Sequence, residues 1–154
     1  MSTLSVISII KEGATLTAKE ELNTLRILDC RIKASLQQLE TLQSTVERVT
    51  ATTDKVIVTG GSGSRDDLLV RLIEMRAECN EAIDEFVDYK RLIMARINRI
   101  DDPLLAEILI ERYVDRYSWY DIALNLNYGL RHVHKLHGLA LQEYTAKMAH
   151  NGTS

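Results

Sequence analysis

The sequence predicts an all-α protein: an antiparallel coiled-coil helical hairpin followed by a C-terminal helix-turn-helix. Three observations carry this expectation. A single Pro and seven Gly leave long stretches without a breaker, and aromatic residues make up only 5% of the chain. Both features favour helices over a β-sandwich. Apolar residues recur every three or four positions over two long stretches, the period of one helix face. A Ser or Thr followed three residues later by an acid, the signature of a helix start, occurs at Thr17 with Glu20, Ser64 with Asp67, and Ser118 with Asp121.

Residues 1–16 show no clear period and read as an N-terminal arm, with a short turn or strand allowed at 4–10. Thr17 and Glu20 open a helix in which Leu22, Leu25, Leu28, Ile32, Leu36, Leu39, Leu42, Val46 and Val49 form one apolar stripe. The β-branched, polar run from residue 50 onward should fray its end. Residues 54–65 read as a flexible linker, since Gly60, Gly61 and Gly63 lack the G-K-[ST] that a phosphate loop requires. Ser64 and Asp67 open the next helix. Leu72, Cys79, Phe86, Ile93 and Ile100 then repeat at seven-residue spacing, interleaved with Ile83 and Ile97, which argues for a coiled-coil seam. Arg76 and Lys90 take the two remaining seam positions. The hairpin spans 17–102 and places Cys30 opposite the region of Phe86, away from Cys79. Both cysteines therefore read as buried thiols, and two of them suit a reducing cytosol better than a disulfide framework.

Asp101, Asp102 and Pro103 end the second helix and start a third over 104–117, with an Asp at the cap, Pro in the first turn, and Leu105, Ile108, Leu109, Arg112 and Tyr113 at helical spacing. It opens a domain over 103–148, followed by a tail at 149–154. Ser118 and Asp121 start a short helix whose inner face is Ile122, Ala123 and Leu126. Asn127, Tyr128 and Gly129 make the turn, Asn and Gly being the residues best able to take a positive φ. Val133, Leu136, Ala140, Leu141 and Tyr144 form the inner face of the last helix, which leaves Leu130, Arg131, His134 and Lys135 outward. Two short helices about a tight turn, the second basic at its start, are what a helix-turn-helix requires: the second helix enters the major groove N-terminus first.

The net charge of −3 and a pI near 5.8 do not mark the whole chain as a nucleic-acid binder. Charge is unevenly placed, however. Residues 66–88 are acidic and 90–99 basic, while 130–147 carry Arg131, Lys135, Lys147 and three His against a single Glu. A local basic face can bind phosphate on an acidic protein, with a modest salt dependence. No apolar run approaches the ~18 residues that would span a bilayer.

On these residues the chain resembles a known pattern. Tyr113, Ser118, Asp121, Ile122, Ala123, Leu126, Val133, Leu136, Ala140 and Leu141 are similar to region 4 of bacterial sigma factors, which reads the −35 promoter element. Adding the upstream hairpin, the S-G-S-R-D linker and the run R-H-V-H-K-L-H-G over 131–138, residues 17–146 resemble a family of phage and prophage proteins related to the RinA/ArpU-type late transcriptional regulators. The resemblance implies a sequence-specific DNA-binding regulator in the cytoplasm of a bacterial host. Its expected partners are double-stranded DNA, RNA polymerase and a second copy of itself. By position, Leu130, Arg131 and Lys135 match the base readers, while His132 and His134 match positions that usually hold Arg, the latter facing backbone phosphate. Gly129 stands where that pattern has a capping Ser or Thr, Asn127 where Gly is common, and Leu130 in place of a polar reader. The −35 sequence itself is therefore not implied as the target. A Leu could touch a thymine methyl, and Arg131 or Lys135 could reach guanine O6/N7.

Other readings of the same residues are a small-terminase-like DNA-packaging component and a protein-interaction adaptor that binds RNA polymerase or a host factor. His134 and His137, three residues apart, have no Cys or carboxylate near them at metal-ligand spacing. Asp84, Glu85 and Asp88 sit on the outer face of a coiled coil with no pocket, as a solvated surface would. No motif implies catalysis or a cofactor.

Overall fold

The structure, a computed structural model, describes residues 16–53 and 62–149. Among these, every regular element is a helix: α1 (Ala18–Thr53), α2 (Ser62–Ile97), α3 (Pro103–Leu109) continued by a π-helical turn at Ile110–Val114, α4 (Trp119–Leu126) and α5 (Leu130–Ala149). No helix is long and apolar enough to cross a membrane among the described residues. The arm at 1–15 and the centre of the linker lie outside them.

α1 starts as its sequence demands. The Thr17 amide donates to Glu20 Oε2 at 2.8 Å and the Glu20 amide returns to Thr17 Oγ1 at 3.2 Å, so two of the orphan donors of the first turn are satisfied. The Thr17 amide, and then its hydroxyl at 2.8 Å, donate to the Glu20 carboxylate and hold it below its ordinary range. At the other end the helix does not fray at residue 50. The hydroxyls of Thr50 and Thr52 donate to the carbonyls of Val46 and Arg48, the back-bonding by which β-branched hydroxyls stay inside a helix.

α2 departs from expectation in two respects. It begins at Ser62, inside the stretch assigned to the linker, so Ser64 lies within the helix and cannot cap it. The seam is also shifted. Leu72, Cys79, Ile93, Ile97 and Ile100 are buried and Phe86 and Ile83 half-buried, but Arg76 and Lys90 are exposed, while Met75 is half-buried and Tyr89 fully buried one position earlier. Residues three and four places after a heptad anchor share a helix face, so the spacing left both open. Burial of apolar side chains selected Met75 and Tyr89 over two cations. Cys30 is exposed and only Cys79 buried. The inward stripe of α1 passes through Leu28 and Ile32, which points residue 30 away.

The third helix is capped as read: Asp102 Oδ1 accepts from the Leu104 amide at 2.9 Å, with Pro103 in the first turn. It ends earlier than residue 117. The Asp115 amide reaches Ile110 and the Tyr117 amide reaches Glu111, both at 2.9 Å, and Arg116 takes a left-handed φ of 66°. This closure satisfies carbonyls at the helix end, with a residue type that gives no hint of it.

The chain divides into two compact units. One comprises the described residues up to Ile27 and those from Glu85 onward; the other is Leu28–Asp84. In the second unit, Arg76 Nη2 donates to Gln43 Oε1 at 3.4 Å. The first unit holds a buried polar cluster. Glu21, 2% exposed, is ion-paired with Arg96 and accepts from the Tyr144 hydroxyl at 3.0 Å, while the Tyr89 hydroxyl donates to the Glu21 carbonyl at 2.7 Å. Burial, reinforced by the Glu21 charge, raises both phenols well above their ordinary range, so they remain neutral donors. The same end of α5 is fixed by Glu143 Oε1, which accepts from the Asp101 amide at 2.8 Å, and by Lys147 Nζ, 2.6 Å from Asp101 Oδ2.

Candidate nucleic-acid interface

The start of α5 is placed by α4 and by the turn between them. Ser118 Oγ accepts from the Asp121 amide at 3.1 Å and the Asp121 carboxylate accepts from the Ser118 amide, completing the capping box. α4 turns inward Ile122 and Ala123, which form a small core with Val133 of α5, flanked by Trp119 and Leu126. Ala123 is small where two helices must come close. Asn127 takes a left-handed φ of 57° and closes α4, while the turn ends on Gly129, whose carbonyl accepts from the amides of His132 and Val133. Gly129 itself is not in the left-handed region, contrary to expectation, because Asn127 alone absorbs the reversal.

Leu130, Arg131, His132, His134 and Lys135 are all exposed, and Val133 in their midst is fully buried. The first two turns of α5 thus present these side chains outward around one buried residue, Val133. Leu136 is half-buried, and Ala140 and Tyr144 are buried further along. His132 lies edge-on to Tyr128, with ring centroids 4.9 Å apart.

Beneath this surface lies a support that the sequence showed only as separate residues. Trp119 contacts both His134 and His137, with centroids at 4.7 and 4.6 Å, and the Arg112 guanidinium sits 4.4 Å over the indole. Such a cation–π contact is worth roughly 0.5–1 kcal/mol when partly exposed. Arg112 also donates to the Tyr117 carbonyl at 3.1 Å, tying the π-helical turn to the N-terminus of α4. His137 is buried, 2.8 Å from the Tyr113 hydroxyl. Nothing local in the sequence pairs residues 112, 119 and 134; the packing of three elements does.

His137 is held neutral. Burial, followed by the charges of Lys19, Arg112 and His134, lowers its pKa to about 4. Tyr113, raised by burial, stays a phenol, so the neutral ring can accept its proton at Nε2. Because the folded value lies below the unfolded one, the unfolded chain binds the proton first as pH falls. The contribution is complete above about 6.5 and is lost on the way down to about 4. At ~1.4 kcal/mol per unit, reduced for the solvent that still reaches the ring, the loss should be about 2 kcal/mol. Urea unfolding of the wild type and of His137→Gln at neutral and mildly acidic pH checks this: the variant should lose less stability on acidification, and equal losses would remove His137 as the cause.

Glu111, in the π-helical turn, is a residue the sequence reading passed over. It is 7% exposed; Asn125 Nδ2 donates to its Oε1 at 3.4 Å, and Oε2 is buried without a hydrogen-bond partner. Burial raises its pKa. No group of three or more His, Cys, Asp or Glu that could hold a metal occurs among the described residues.

Fold and site together describe an all-helical protein that presents a short cationic helix start on an aromatic and imidazole support. The chain belongs to the family of proteins of unknown function DUF1492, whose model matches residues 37–144. No curated protein and no solved structure matches it.

Proposed function

We propose that the protein is a sequence-specific DNA-binding regulator of phage late genes, acting in the cytoplasm of a bacterial host. In this reading α4 and α5 form a helix-turn-helix of the sigma region 4 type, and α1 and α2 form an antiparallel coiled-coil hairpin that supports it. The carrying observation is the outward set Leu130, Arg131, His132, His134 and Lys135 on the first two turns of α5, fixed from below by Val133. In the groove, Arg131 or Lys135 would reach a guanine edge, Leu130 a thymine methyl, and His134 the backbone. A single small module makes limited contact, so two copies on paired half-sites are expected.

Contact with RNA polymerase is part of the proposal. Tyr120 and Leu124, four residues apart on α4, are 67% and 62% exposed, and Tyr117 and Tyr128 beside its two ends are 44% and 41% exposed, apolar surface suited to a protein partner more than to phosphate. Selection of bound sequences from a random duplex pool tests the reading. Enrichment of a two-part site is expected; recovery of no motif at low salt, with retained binding to polymerase, would replace it with the adaptor reading.

A further inference from the structure

Three cations from two distant segments of one compact unit converge beside the start of α5. Lys19 and Arg26 stand seven residues apart on α1, hence within about 20° of each other on the helix surface, and both are exposed. Arg112, half-buried in the π-helical turn, sits over Trp119, and His134 meets the same indole at 4.7 Å. α1 is tied to α5 here, since the Tyr144 hydroxyl donates to Glu21 at 3.0 Å. The buried His137 ring feels the group directly: after burial itself, the charges of Lys19, Arg112 and His134 lower it. Arg112 is lowered in the same way, by burial and then by the charge of Arg26.

No carboxylate offsets this group. Among the described residues none of the three cations is ion-paired, and no carboxylate acts on Arg112 or His137. The acids close to them in sequence are engaged elsewhere. Glu20 is closed onto Thr17, Asp29 onto Lys33 at 3.1 Å and Asp121 onto Ser118, while the charge of Asp115 bears on Glu111. In a chain whose 22 Asp and Glu outnumber its 19 Lys and Arg, three cations meeting without an acid repel one another until an anion arrives. Their layout says which anion. Lys19 and Arg26 are about 10 Å apart along α1 at ~1.5 Å per residue. Such an array suits a chain of phosphates, one every ~3.4 Å of axis on each strand of a duplex, more than a single small anion. His134 belongs both to this group and to the outward set of α5, so a duplex read by Arg131 or Lys135 would carry its backbone toward α1.

We propose that Lys19, Arg26 and Arg112 bind backbone phosphates of the duplex whose bases the start of α5 reads, which makes the long helix α1 part of the nucleic-acid interface. The proposal rests on the DNA-binding reading and adds to it a contact that carries no sequence information. The test is titration of the full-length chain with labelled duplexes, one selected and one unrelated in sequence, over a range of salt. Lys19→Ala with Arg26→Ala should weaken binding to both duplexes by the same factor, roughly tenfold, and reduce the salt slope by about 2, at ~0.9 per phosphate. Helix content by circular dichroism should not change, since both side chains are exposed. Lys19→Arg, which keeps the charge, should bind as the wild type does. A wild-type slope in the double variant overturns the proposal, as does a loss confined to the selected duplex. Binding of polyglutamate as tight as that of the unrelated duplex also overturns it, and assigns the cations to an acidic protein. A wild type that binds no duplex at low salt overturns the DNA-binding reading and this contact with it. Duplex binding that depends on Arg131 and Lys135 but not on Lys19 and Arg26 overturns this contact alone.

Discussion

Replacing Glu21 by Ala should destabilise the protein by about 3–5 kcal/mol, the cost of leaving one member of a buried ion pair without its partner. Glu21 is 2% exposed and holds Arg96 and the Tyr144 hydroxyl together. Removing its carboxylate strands a guanidinium and a phenol at the same point. The size of the loss follows from that imbalance more than from the strength of the pair. A shape-preserving apolar replacement of all three groups, Glu21→Leu with Arg96→Met and Tyr144→Phe, should therefore recover most of it. Urea titrations of the single and triple variants measure both numbers. A loss below about 1 kcal/mol for Glu21→Ala would show that the pair is solvated in solution, as surface pairs are.

The second large effect concerns DNA. Arg131→Ala with Lys135→Ala should weaken binding to a selected site by about 3 kcal/mol, roughly a hundredfold or more, from ~1–3 kcal/mol per base-directed contact. Both side chains are exposed and neither supports the core, so thermal stability should move by less than about 0.5 kcal/mol. Titration with labelled duplex at two salt concentrations adds a check: removing the cations should also flatten the salt dependence. Unchanged affinity in a folded double variant would remove the start of α5 from the interface.

What the sequence made legible was local. The caps at Thr17, Asp102 and Ser118 each need only residues two or three places apart, and all three are formed. The division of the α5 start into Val133 inward and Leu130, Arg131, His134 and Lys135 outward is likewise a matter of helical period. Features that depend on distant partners were not legible. Met75 and Tyr89 turn inward in place of Arg76 and Lys90 because burial, not spacing, decides between adjacent positions. Cys30 faces outward for a related reason: a small apolar residue off the stripe carries no sign of it. The third helix stops at Val114 because Arg116 accepts a left-handed conformation, and arginine does not announce that as glycine would. The stacking of Arg112, Trp119 and His134 joins three separate segments, and no motif encodes it.

One feature of α5 has a mechanical side. The helix is held at its far end by Tyr144, Glu143 and Lys147, whereas Arg131 and Lys135 occupy its first turns. At ~1.5 Å per residue, Tyr144 and Arg131 are about 20 Å apart along the axis. The tip is itself seated through Val133 and through His134 and His137 on Trp119, so a change at the root reaches Arg131 by shifting those contacts too: a rigid tilt of about 5° would swing the tip by nearly 2 Å, enough to take a guanidinium out of reach of a base edge. Genetic screens for lost binding should accordingly return substitutions at Glu21 and Tyr144, far from any nucleotide, beside those at the tip.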